Sequence, residues 1–213
     1  MNNFSLQVKS IKKSFGRRLV FDGISFELNK PTIFGISGPN GSGKSTLLKI
    51  LSGINSPSKG EVNYFFDGNK IIYEKIHNHI GFVSPYLVLY DEFSAWENLN
   101  YFSKIRKIDF NKTLTEDLLD KFLLINRKDD LVKTYSSGMK QRLKYIFALM
   151  HSPKFIFLDE PTSNLDDEGK ETVYNLIKSE GEKAIIIVAS NEKSDLEQCT
   201  EVLDLKNYKN SIS

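Results

Sequence analysis

Ile33-Phe-Gly-Ile-Ser-Gly-Pro-Asn-Gly-Ser-Gly-Lys-Ser-Thr46 reads as a strand, a glycine-rich loop and the start of a helix. Gly38, Gly43, Lys44 and Ser45 fall at the spacing G-x-x-x-x-G-K-[ST] of a phosphate-binding loop, the Walker A motif. Each residue type answers to the chemistry. Glycines let successive backbone N–H groups turn toward one anion, where a side chain would collide with it. The helix N-terminus adds unpaired donors and the positive end of its dipole. Within Gly38-Pro39-Asn40-Gly41-Ser42-Gly43-Lys44-Ser45-Thr46, Lys44 is expected to reach the β- and γ-phosphates of a nucleoside triphosphate, and the Ser45 hydroxyl to ligate Mg²⁺. With a strand before it and a helix after it, a glycine-rich turn carrying a chance lysine is the poorer reading.

Working outward, segments rich in β-branched and aromatic residues predict strands at Phe4–Lys9, Leu19–Leu28, Thr32–Ser37, Gly60–Asp67, His79–Ser84, Lys154–Leu158, Ala184–Ala189 and Val202–Leu205. Phe155–Leu158 and Ile185–Val188 are unbroken apolar runs, which suits strands of a parallel sheet covered on both faces. Helix is predicted at Lys44–Ser52. Leu114, Leu118, Leu119, Phe122 and Ile125 form one apolar stripe at helical spacing, and Leu143, Ile146, Phe147 and Met150 form another. Strands dominate to about Ser84, helices occupy about Ser94–Met150, and strand and helix then alternate. This order predicts one α/β domain over residues 1–213, with its core at 1–84 and 152–213 and a helical subdomain inserted at about 85–151. Fraying is expected only in the tail, about Lys206–Ser213.

Composition sets the class. At 213 residues, 40% hydrophobic, the chain can bury one full core and hardly fits two domains. Net charge is +2 with basic residues scattered, which argues against nucleic acid as the partner. Cys199 is the single cysteine, so no intrachain disulfide can form. No apolar run approaches the ~20 residues of a membrane-spanning helix, and Met1–Lys13 lacks the apolar core of a secretory signal. A cytosolic location is expected, with any membrane association through a partner.

Downstream, Lys154-Phe-Ile-Phe-Leu-Asp159-Glu160-Pro161 is an apolar strand ending in two acids, at the carboxyl end where open α/β sheets place ligands. Asp159 is expected to hold Mg²⁺ through water and Glu160 to polarise the attacking water. Alone, the pair would read as an ordinary strand-to-loop acid pair; the loop at Gly38–Thr46 makes it a Walker B strand.

Further segments together resemble the ABC ATPase family of P-loop NTPases. Tyr135-Ser136-Ser137-Gly138-Met139-Lys140-Gln141-Arg142 resembles the signature L-S-G-G-Q-x-Q-R, shortly before the Walker B strand. Ser163-Asn164-Leu165-Asp166 stands at the place of the D-loop, S-A-L-D, and Phe15 at that of the aromatic that stacks on adenine. The resemblance runs from about Leu6 to Leu205. It implies an α/β P-loop core of ABC type, with an N-terminal antiparallel β portion and the inserted helical subdomain. It also implies an ATP-binding and ATP-hydrolysing subunit, with ATP and Mg²⁺ as ligands. Such a subunit energises a separate transmembrane permease that docks near Pro85–Asn98, peripheral to the cytoplasmic face of the membrane. Two subunits would meet head to tail, as a homodimer or with a second ABC subunit. Ser136, Ser137, Gly138 and Met139 of one would then face the ATP of the other. Ser136 or Ser137 also reads as a plain helix cap, and both roles can hold together. Trp96 reads either as core packing or as part of the docking groove, which is rich in aromatics (Tyr86, Tyr90, Phe93).

Two residues of the family pattern are missing. Its junction glutamine has no counterpart, since the glutamines are Gln7, Gln141 and Gln198; Pro85 stands there. Its switch histidine is also absent, because His77, His79 and His151 all lie before Asp159; Asn191 takes the place. Asn191 can donate a hydrogen bond to a γ-phosphate but cannot carry a proton. The expectation is a working but slow ATPase, with Glu160, Lys44 and Asn191 as its catalytic groups. The short chain resembles compact exporter-type subunits. The rival readings are a nucleotide-gated regulatory module with little hydrolysis, a soluble ABC ATPase acting on nucleic acid or ribosomes, and a P-loop kinase. His77 and His79 read as surface or loop residues.

Overall fold

The computed structural model describes residues 4–209. Two sheets sandwich a helix, and more helices cover the outer face of the second sheet. The first sheet is antiparallel: β1 (Phe4–Phe15), β2 (Arg18–Leu28), β4 (Lys59–Phe66) and β5 (Asn69–Lys70) lie in the order β2-β1-β4-β5. β1 pairs on both sides, with Leu6 opposite Leu28 on one edge and Tyr64 on the other. The second sheet is parallel: β3 (Thr32–Ser37), β6 (Ile80–Val83), β7 (Phe155–Asp159), β8 (Ile185–Ala189) and β9 (Glu201–Asp204) lie in the order β6-β7-β8-β3-β9.

The predicted strands are all present, with ends moved by a residue or two. Two details differ. β1 runs on to Phe15, past register shifts that take up the positive φ of Ser10 (48°). β5 was not expected; Asp67 (φ 47°) and Gly68 (φ 78°) make a two-residue turn that folds it onto β4.

Alternation along the parallel strands divides the core in two. Phe155, Phe157, Ile185 and Ile187 pack with Leu47, Leu48 and Leu51 of α1 (Lys44–Leu51) and with Leu6 and Ile24 of the first sheet. Ile156, Leu158, Ile186 and Val188 face the other way, toward Leu143 and Ile146 of α4 (Ser137–Leu149) and Val173 and Ile177 of α5 (Asp167–Glu180). All ten residues of β7 and β8 are buried, so these strands tolerate no polar face. This fixes the direction of the site, because β7 delivers Asp159 at its carboxyl end.

α2 (Ala95–Arg106) and α3 (Lys112–Lys121) pack on α4. A capping box starts α2: Ser94 accepts from Glu97 N at 3.1 Å, and Ser94 N donates to Glu97 Oε2 at 2.8 Å. Trp96 packs edge-on to Phe110 at 5.1 Å beneath the Lys128 ammonium, so it serves the helical core. His77 is exposed as expected, whereas His79 is half-buried against Phe66 at 5.8 Å. His151, half-buried, donates from Nε2 to Ile80 O at 2.9 Å. Leu205–Tyr208 close a 3-10 turn rather than fraying, and residues 210–213 lie outside the described part. Among the described residues no helix is long and apolar enough to cross a membrane.

Candidate functional site

The loop between β3 and α1 owes its path to glycine. Gly38, Gly41 and Gly43 hold φ of 148°, 74° and 107°. A Cβ at Gly43 would lie 2.5 Å from Val20 Cγ1, and one at Gly38 would lie 2.7 Å from Ser42 Oγ. α1 begins directly after Gly43 with no side-chain cap, so its first N–H groups open toward a cleft of about 860 Å³.

Residues from both ends of the sequence line this cleft. Asn40, Gly41, Gly43, Lys44, Ser45 and Thr46 form its floor. Phe15, 55% exposed, stands at its rim with Arg18 and Val20 beside it. Asp159, Glu160, Ser163, Asn164, Leu165 and Asn191 form the far wall, and Pro85 borders it. Gly38, Pro39 and Ser42 shape the loop from behind and do not line the cleft. Asp166 does not line it either; its Oδ1 accepts from Gly169 N at 3.0 Å and caps α5.

Two side chains of the loop meet the two acids. Ser45 Oγ donates to Asp159 Oδ1 at 2.8 Å across 114 positions of sequence. Asp159 is 1% exposed, and its second oxygen, Oδ2, is buried without a hydrogen-bond partner. Burial raises the Asp159 carboxyl above the usual range and the Glu160 charge adds to this, while the Ser45 hydrogen bond, Lys49 and Lys44 oppose it. Lys44 is buried; its Nζ donates to Gly38 O at 3.0 Å and lies 3.4 Å from Glu160 Oε1. Glu160 holds φ at +48°, a conformation uncommon outside glycine, and its N–H donates to Ala189 O at 2.8 Å. The loop is also braced from α4, where fully buried Tyr145 donates to Pro161 O at 2.7 Å. That burial holds the phenol far above its ordinary pKa.

The signature-like residues lie elsewhere. Ser136 caps α4, its Oγ accepting from Met139 N at 3.2 Å, so Ser136 rather than Ser137 is the cap. Ser136 and Ser137 are exposed, and none of Ser136, Ser137, Gly138 and Met139 lines the cleft of its own chain. A Cβ added at Gly138 would lie 3.7 Å from Asn164 O of that wall.

Sequence reasoning passed over Thr162, Lys170, Ser190 and Asp195. The first, second and fourth line the cleft, and Ser190 lies behind it. Asp195 had no sequence signal of its own: it is one of several acids in a charged stretch, and only the turn at α6 (Lys193–Leu196) buries it. Lys144 was also missed. It is 8% exposed and donates to Pro85 O at 2.6 Å, tying α4 to the residue that stands in for the missing glutamine.

A family model described as "ABC transporter" matches residues 21–163. The linearmycin resistance ATP-binding protein LnrL of Bacillus subtilis (strain 168) is 32% identical over 188 residues, 86% of this chain; the chain spans 60% of the length of that relative. The lantibiotic transport ATP-binding protein SrtF of Streptococcus pyogenes is 32% identical over 199 residues, covering 93% of this chain and 85% of SrtF. Among solved structures, a putative ABC transporter ATP-binding protein from Pyrococcus furiosus is similar in fold, with a TM-score of 0.82 over 96% of this chain and 99% of that one, at 24% identity.

Proposed function

The chain belongs to the ABC transporter family of ATP-binding proteins, and on that premise we propose that it hydrolyses ATP to drive a separate transmembrane subunit, in the direction of export. The observation that carries this reading is the meeting of Lys44 and Ser45 with Asp159 and Glu160 at one end of the parallel sheet. The names of the relatives, with linearmycin resistance and lantibiotic transport in them, support export.

The geometry supports specific tasks. The triphosphate takes the loop N–H groups and the N-terminus of α1, with Lys44 turning from Gly38 O and Glu160 onto the phosphates. The partnerless Asp159 Oδ2 and the Ser45 hydroxyl are hard oxygen donors that fit Mg²⁺. When bound there, that ion offsets charge on the transferring phosphate. Phe15 offers its exposed ring to adenine. Glu160 takes a proton from the attacking water as its oxygen bonds to the γ-phosphorus and the bridging P–O bond to the β-phosphate breaks, leaving ADP and phosphate. Asn191 donates to the γ-phosphate; it neither accepts nor carries a proton at neutral pH, so turnover is slow.

A second subunit completes the site. Ser136 and Ser137 are exposed, and Gly138 and Met139 half-buried, at a capped helix N-terminus outside their own cleft, and the four suit the γ-phosphate of a partner's ATP. Ser163–Asp166 would lie along the same seam as the D-loop. The helices within residues 85–151 act as a lobe on the core formed by 1–84 and 152–213. The permease docks near Pro85–Asn98, where Tyr86, Val88, Tyr90 and Phe93 are exposed. Light scattering on Glu160→Gln tests the assembly. Mg·ATP is expected to double its mass, and a chain that stays monomeric while saturated with ATP refutes the self-paired site.

A further inference from the structure

Two consecutive side chains bolt helix α4 to the cleft. Lys144, 8% exposed, donates from Nζ to Pro85 O at 2.6 Å, and fully buried Tyr145 donates from its hydroxyl to Pro161 O at 2.7 Å. Consecutive side chains leave a helix about 100° apart, so the pair reaches two different segments, one after β6 and one after β7. Both segments border the cleft. Pro85 lines it, and Pro161 lies between Glu160 and Thr162, which line it too. Because the proline ring restricts φ, each carbonyl is a stiff point of attachment.

The joints are tight. The Tyr145 ring stacks on Phe122 with centroids 5.4 Å apart, which holds its hydroxyl on Pro161. A Cβ at Gly81 of β6 would lie 2.3 Å from Ala148 O, so strand and helix meet backbone to backbone one turn beyond Lys144. Breaking either hydrogen bond would leave a buried donor or acceptor unmet. A shift of either segment is therefore carried into the helix rather than absorbed at the joint. No proline interrupts α4 between these joints and its capped start. Ser136 lies about 12 Å along the axis from Lys144, at the end that serves the partner's ATP.

We infer that Lys144 and Tyr145 are positioning residues that couple the two ATP sites of a pair, by fixing the signature-like end of α4 to the two segments that border the chain's own cleft. The inference rests on the paired site and names the side chains through which one site feels the other. ATP that draws the segments at Pro85 and Glu160 onto its phosphates moves both proline carbonyls, and α4 follows with Ser136–Met139. Such a coupling is reciprocal: the partner's ATP, held at Ser136–Met139, in turn favours the occupied form of this chain's cleft.

The test separates ATP binding by one chain from pairing, both measured on Glu160→Gln. The first quantity is affinity for a fluorescent ATP analogue with Mg²⁺ at a chain concentration too low for pairing. The second is the Mg·ATP concentration that converts half of the chain to dimer in light scattering. Lys144→Met keeps the apolar stem and removes the donor, and Tyr145→Phe removes one hydroxyl. Each is expected to raise the half-point for pairing by about 5- to 150-fold while single-chain affinity stays within about threefold. A residue that only stabilised the fold would lower Tm without separating the two quantities. An unchanged half-point in both variants overturns the inference, as does a loss of single-chain affinity as large as the loss of pairing. Failure of Glu160→Gln to pair with Lys144 and Tyr145 intact overturns instead the paired site on which the inference rests.

Discussion

Asp159→Asn should make the nucleotide-free protein more stable while removing its response to Mg²⁺. Asp159 is 1% exposed, one oxygen accepts from Ser45 at 2.8 Å, and the other is buried with no partner. Burial, and then the Glu160 charge, hold its carboxyl above the usual range. The sign follows from that direction. A raised carboxyl favours the folded state while protonated, so its contribution is full at low pH and is lost as pH rises through the raised value. At neutral pH the charge is a net cost. Asparagine keeps the bond to Ser45 and removes the charge, which is worth about 1–2 kcal/mol, the scale of an unmet buried polar group. In a chain of this size that is a rise in Tm of about 3–6 °C. The assay is thermal unfolding in EDTA from pH 4.5 to 8, repeated with Mg·ATP. The gap between variant and wild type should widen as pH rises, and Mg·ATP should stabilise only the wild type. A variant less stable than wild type in EDTA at neutral pH would refute the claim that this carboxylate is held at a cost for its ligand.

Two further outcomes follow from the same geometry. Gly43→Ala places a Cβ 2.5 Å from Val20 Cγ1 at φ 107°. It should cost about 1–3 kcal/mol in strain and weaken ATP binding by at least about tenfold, as measured by calorimetry. His151 has its pKa lowered to about 4, chiefly by burial and then by the Arg106 charge. A depressed histidine contributes stability that is full above its ordinary pKa and lost as pH falls from there toward the folded value. Denaturant unfolding should therefore show stability falling between pH 6.5 and about 4. His151→Gln, which keeps a donor for Ile80 O, should show a shallower fall.

The sequence disclosed most of the scaffold because the signals were strong and local. Phe155–Leu158 and Ile185–Val188 have no polar face, and only the centre of a covered parallel sheet accommodates that. The glycine loop was legible because its φ values exclude nearly everything else. β1 beyond Lys9 was not, because Ser10, Lys12 and Lys13 interrupt the apolar alternation while the strand carries them through bulges. At the site, Lys44 and Ser45 came from the spacing of the glycine loop, and Asp159 and Glu160 from an apolar strand ending in two acids read together with that loop. Thr162, Ser190 and Asp195 could not, since their meaning lies in contacts between segments up to 33 positions apart. Lys144 is the same case: a lysine in an apolar helix face signals nothing until its ammonium is found on Pro85 O.

The most direct test of the account is phosphate release from Mg·ATP by the wild-type chain and by Glu160→Gln, beside ATP affinity measured on both. Loss of a positioned general base is expected to lower the rate by about 10²-fold or more, with affinity within about threefold. Equal rates in the two proteins, or no release by the wild type when saturated with Mg·ATP, would contradict it.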